Sequence, residues 1–143
     1  MNYFDKILIK DLNDGEISFN ILSEEESASI VRDINKTISF SGSKINWGKL
    51  KDGMYFGHEP SAQVILRLAE QIRKVTDGNL IFIGDSAYDN VYSINPEHLE
   101  KALRIFSDLP QHTYITSKSL TWIACMSSEG DVDFANIYED TDN

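Results

Sequence analysis

At 143 residues, with 41% hydrophobic residues, the chain is long enough for one globular domain and too apolar to be disordered. Its formal net charge of −10, from 23 acids against 13 bases, repels the nucleic-acid backbone and anionic membrane surfaces and argues against direct binding to either. No apolar run approaches the roughly 18 residues that a membrane span requires.

Residues 1–143 are therefore read as a single domain, with an acidic tail at 139–143. The first fifteen residues interleave acids and lysines with apolar residues, unlike a secretion signal, which needs a basic start and an unbroken apolar stretch. The single cysteine, Cys125, lies in the apolar segment TWIACM and reads as a small buried hydrophobe. Both points lead to the expectation of a reducing, cytoplasmic location.

In chain order, residues 3–12 and 16–22 read as two strands joined by a turn at Asn13, Asp14 and Gly15. Ile17, Phe19 and Ile21 alternate with Ser18 and Asn20 in the second. Ser23 and Glu26 form a capping box that opens a helix, and Ala28, Ile30, Val31 and Ile34 make its apolar stripe. Residues 37–41 read as a short strand. The remainder of 37–59 has weak patterning, punctuated by Gly42, Gly48, Gly53 and Gly57, and its role is left open. Residues 59–75 carry the clearest helical period, with Ile65, Leu68, Ile72 and Val75 on the core side.

Residues 80–83 (LIFI) are a short buried strand running into the polar turn Gly84-Asp85-Ser86. Asn95 and Pro96 open a third helix, striped by Leu99, Ala102, Leu103 and Phe106 and stopped before Pro110. Three strands follow, at 113–116, 121–126 and 132–138. Hairpins at both ends with helices between them predict an α+β domain: a mixed, mainly antiparallel sheet with about three helices packed on one face.

Few residues form a pattern that chemistry demands. The segment GSKINWGK lacks phosphate-loop spacing, because five residues separate Gly42 from Gly48 and Leu50 follows Lys49. One cysteine excludes a structural zinc cluster, and no twelve-residue calcium loop is present, so no metal site and no cofactor are expected. The block Gly84-Asp85-Ser86 resembles the motif of GDSL-type esterases, which would make Ser86 a nucleophile. The block lies far from the N-terminus, only 57 residues follow it, and no Asp-x-x-His supplies the base. Asp108 and His112 are one residue too far apart. The expectation is therefore no enzyme activity, with a small serine hydrolase as the alternative and a non-catalytic adaptor or subunit as another.

Acids and aromatics fall together in two places. Asp85, Tyr88, Asp89 and Tyr92 follow the central strand, and Trp122, Glu129, Asp131 and Asp133 occupy the C-terminal hairpin. Tyr and Trp serve as interface anchors, and clustered acids steer a basic partner. These eight residues are the candidate partner-binding set. In size, acidity and the style of its C-terminal segment LTWIACMSSEGDVDFANIY, the chain resembles bacterial immunity proteins, including those of contact-dependent growth inhibition systems. That resemblance implies a cytoplasmic antidote that binds a cognate toxin domain, basic and nuclease-like, and occludes its active site.

Overall fold

A computed structural model describes residues 2–42, 44–85 and 89–137. The α+β class holds, with every strand pair antiparallel. The first element differs from the strand expected at 3–12. It is a helix, α1 (Tyr3–Asp14), capped by the Asn2 side chain, which accepts from the Phe4 N–H at 2.7 Å. Ile7, Leu8 and Ile9 look like a strand core, but Phe4, Leu8 and Leu12 also recur every fourth residue, which is a helical face. Leu8 and Leu12 are fully buried. Burying such a side chain contributes about 1.5–3 kcal/mol, well beyond the few tenths separating local propensities. Packing therefore selects the helix. Asn13, Asp14 and Gly15 end it rather than turning a hairpin, and the Gly15 N–H returns to the Asp11 carbonyl at 3.0 Å.

The chain continues through β1 (Phe19–Ile21), α2 (Glu24–Thr37), β2 (Phe40–Ser41), β3 (Lys44–Ile45), a 3₁₀ turn (Trp47–Lys49) and β4 (Lys51–Gly57). It then forms α3 (Ala62–Val75), β5 (Leu80–Gly84), β6 (Tyr92–Ile94), a 3₁₀ turn (Pro96–His98), α4 (Leu99–Ser107), β7 (Thr113–Ser117), β8 (Trp122–Met126) and β9 (Val132–Asn136). The predicted capping box is formed, with the Ser23 hydroxyl accepting from the Glu26 N–H at 3.1 Å. The short strand β6 and the edge strand β4 escaped the periodicity reading. Each is interrupted by polar or glycine residues.

Among the described residues, seven strands make one sheet in the order β1-β6-β5-β7-β8-β9-β4, and β2 and β3 form a separate small hairpin. Both faces of the sheet are covered. Leu80 and Phe82 of β5, Ile115 of β7 and Trp122 and Ala124 of β8 pack with α1, α3 and α4. Ile81, Ile83, Tyr114, Ile123 and Cys125 face the other way, toward Ile34 and Ile38 at the end of α2 and Ile45 of β3. Four helices are thus present among the described residues, not three, and α2 lies opposite the others. One amphipathic helix per side would not cover seven strands, so helices and hairpin share the work.

Strand β4 closes the sheet at one edge. Its register against β9 shifts between Lys51 and Met54 and again between Tyr55 and Gly57, and Asp52 takes a φ of 51°. Such bulges discourage a foreign strand from pairing with an open edge.

One buried charge ties the helical layer to the sheet. Asp5 of α1 is 1% exposed. Its carboxylate accepts from the Asp89 N–H (2.8 Å), the Asn90 N–H (3.3 Å) and the Tyr92 hydroxyl (2.6 Å). The hydroxyl donor and two backbone donors thereby place the segment entering β6. Asp5→Ala leaves these donors without their acceptor and should cost about 3 kcal/mol of stability. Urea denaturation measures it, and a loss below about 1 kcal/mol would show that the network is dispensable.

Candidate functional site

The strands β5, β7, β8 and β9 and the bulged β4 carry one continuous row across the sheet. Cα register aligns Ile83 with Tyr114, Tyr114 with Cys125, Cys125 with Asp133 and Asp133 with Tyr55. The row begins apolar, beneath α2, and ends acidic where that cover stops. There the β3 strand and the Trp47 turn lean over the sheet and leave a cavity of about 170 Å³. Its walls include Trp47, His112, Tyr114, Cys125 and Asp133, with Glu129 and Asp131 among the residues around it.

The β8–β9 turn brings the acids here. Gly130 adopts a φ of +101°, and a Cβ on it would meet the His58 carbonyl oxygen at 2.5 Å. Only glycine allows the turn to lie so close to the backbone that follows β4. The approach lets His58 Nδ1 sit 2.9 Å from Asp131 Oδ1, and the Tyr55 hydroxyl donate to the same oxygen at 2.8 Å. Hydrogen bonds from His58 and then Tyr55 hold the Asp131 carboxyl below its usual range, and the same contact raises His58. Glu129 lies 3.6 Å from Lys44 of β3.

Asp133 is placed differently. It is half-buried, and among the described residues none donates a hydrogen bond or an ion pair to it. Burial, and next the charge of Asp131, push its carboxyl up to about 6. Burial likewise pushes the Cys125 thiol far up, so at neutral pH it is protonated. His112 is 6% exposed, and its Nδ1 accepts from the Ser128 N–H at 3.0 Å. While that bond stands, the ring proton is on Nε2.

The eight residues expected from the sequence divide. Glu129, Asp131 and Asp133 converge on the cavity. Asp85, directly after β5, and Asp89 are exposed. The Asp85 carboxylate accepts from the His112 N–H at 3.2 Å, which joins the two ends of β5 and β7. Tyr88, like Ser86 and the tail 139–143, lies outside the described residues. Tyr92 and Trp122 require correction as contact residues, because both are fully buried. Each points to the layer of α1, α3 and α4, where Tyr92 meets Phe106 and Trp122 stacks on Phe134 at 6.0 Å. Strand alternation sends them inward, and aromatic area there is worth more than a surface contact.

The sequence reading missed Lys44, Trp47, Tyr55, His58 and His112. Four of these lie in the weakly patterned segment 37–59, and His112 stands alone between α4 and β7 with no local pattern to mark it. Among the described residues, no three His, Cys, Asp or Glu side chains are placed to hold one metal ion, and no helix is long and apolar enough to cross a membrane. The one histidine ring paired with a carboxylate among the hydrogen bonds described is His58, not a ring beside Gly84-Asp85. In comparisons with known proteins, no family model and no curated protein matches the chain.

The raised Asp133 has a consequence for stability. The folded protein keeps its proton up to about pH 6, the unfolded chain only to about 4. Between those values the folded state binds more protons, so stability falls as pH rises and stays lower above 6. Because the group is half exposed, solvent screening reduces the effect to about 1 kcal/mol. Asp133→Asn should therefore be more stable than the parent by about 1 kcal/mol at neutral pH, with the difference vanishing near pH 4. Denaturant titrations at the two pH values check it; a variant less stable at neutral pH would refute the assignment.

Proposed function

We propose that the protein is a binding protein of the antidote type, acting in the cytoplasm on a basic protein partner. In this reading the partner is a toxin domain, nuclease-like, whose cationic cleft is occluded by the acidic β8–β9 hairpin. The observation that carries it is the convergence of Glu129, Asp131 and Asp133 on one cavity rim. Spread along a strand, such acids would be ordinary solvated turn residues. Gathered around a hollow with aromatic walls, they form a patch with charge at the rim and ring surface at the centre, as partner-binding sites do.

The net charge of −10 supports the same reading. A charge of that sign accelerates encounter with a basic surface, and complementary acids at the rim orient it. The His58–Asp131–Tyr55 cluster supports it further, because it fixes the hairpin in one position before any partner arrives. Preorganisation reduces the entropy lost on binding.

Immobilised protein, exposed to lysate of cells that produce it and washed with increasing salt, should retain a basic protein that is released as ionic strength rises. With that partner in hand, raising salt from about 0.05 to about 0.3 M should slow association roughly tenfold. Glu129→Lys should slow it severalfold at low salt and change dissociation less. A retained partner whose association ignores both salt and the Glu129→Lys change would overturn the reading.

A further inference from the structure

The cavity is too small for a metabolite of nucleotide size. At about 170 Å³ it is comparable to the roughly 150 Å³ hollow that holds one benzene-sized group, whereas sites for whole ligands occupy roughly 300–1,000 Å³. It has room for the head of one side chain.

Three features state what that head must offer. Asp133 lines the cavity half-buried, and no described residue donates to it, while neighbouring Asp131 is already engaged by His58 and Tyr55. Lys44 is also in the wall, but it pairs with Glu129 at 3.6 Å and not with Asp133, so this carboxylate has no cation of its own. His112 is more than nine-tenths buried and lines the same space. Its Nδ1 is occupied by Ser128, and no described residue accepts its Nε2–H. A donor on the wall of an open cavity can be taken by an entering acceptor. Trp47, half-buried at the wall, offers a ring against which a flat cation can lie.

An ammonium group satisfies the first demand and is attracted to the ring, but it has no flat face to lay against it. A guanidinium satisfies the first and the third, because it is planar, donates through a fork and stacks on aromatic faces. The acceptor demanded by His112 is present on any polypeptide, as a carbonyl oxygen. We propose that the cavity is a socket for one arginine side chain of a partner polypeptide, with Asp133 as its counter-charge and the His112 Nε2–H as a neutral anchor for a carbonyl of the same segment. The inference rests on the partner-binding reading above and names the group by which the partner is held.

The test needs no partner. Nα-acetyl-L-arginine amide is titrated into the protein, followed by NMR shifts of the Trp47 indole and the His112 ring. The citrulline counterpart, neutral and nearly the same shape, and the lysine counterpart serve as comparisons. The arginine probe should bind saturably in the millimolar range. The citrulline probe, and the arginine probe on Asp133→Asn, should each bind at least about tenfold more weakly, with the lysine probe between. His112→Phe, which keeps a ring in the wall but removes the donor, should weaken the arginine probe severalfold. Equal affinity for citrulline, undiminished binding by Asp133→Asn, or no saturable shift would each overturn the socket. A captured basic partner with no arginine-probe binding would overturn the socket alone. Arginine-probe binding without a basic partner would sustain the socket and count against the antidote reading.

Discussion

A sheet whose central strands are apolar on both faces has to be covered twice. Strands β5, β7 and β8 impose that requirement here, since Leu80 and Phe82 face one way and Ile81 and Ile83 the other. Three helices supply a full layer on the first face. Among the described residues, the second face is covered by α2, a two-residue-strand hairpin and the turn around Trp47. This thinner cover does not extend over the whole of the β9 and β4 edge, and the cavity lies at its limit. The candidate site thus follows from how the apolar faces are apportioned, not from a loop added to a finished fold.

Two buried or half-buried carboxylates illustrate opposite solutions to the same physical problem. Asp5 is almost wholly removed from water, and a hydroxyl and two backbone N–H groups replace its hydration. It acts as a structural tie between α1 and the segment entering β6. Asp133 is only half removed from water, yet no described donor replaces what it loses. Its carboxyl is raised as a result. Holding a carboxylate in this way costs stability. Asp131, two residues before it in the turn, is satisfied by His58 and Tyr55, and its charge adds to the rise at Asp133.

Gly130 links this electrostatic arrangement to the backbone. Its left-handed φ and the 2.5 Å approach that a Cβ would make to the His58 carbonyl show that the β8–β9 turn is packed onto the end of β4. A side chain there would push the turn away and separate Asp131 from His58. The acids would then project into solvent as an ordinary charged hairpin, and the rim of the cavity would lose its shape.

Much of the fold was legible in the chain itself. The Ser23 capping box, the stripe of Ile65, Leu68 and Ile72, the LIFI strand and the three C-terminal strands are local patterns, and each formed near its expected place. Local pattern also placed Glu129, Asp131 and Asp133 on one hairpin. Tertiary packing decided the rest. Residues 3–12 satisfy a strand pattern and a helical face at once, and only burial of Leu8 and Leu12 resolves them. The inward direction of Tyr92 and Trp122 depends on which face of the sheet receives three helices. The meeting of Trp47, His58, His112 and the acidic hairpin depends on contacts between residues up to about 80 positions apart, of which Tyr55 with Asp131, separated by 76, is one. Periodicity reports neighbours within an element, whereas a cavity is made where separate elements fail to close.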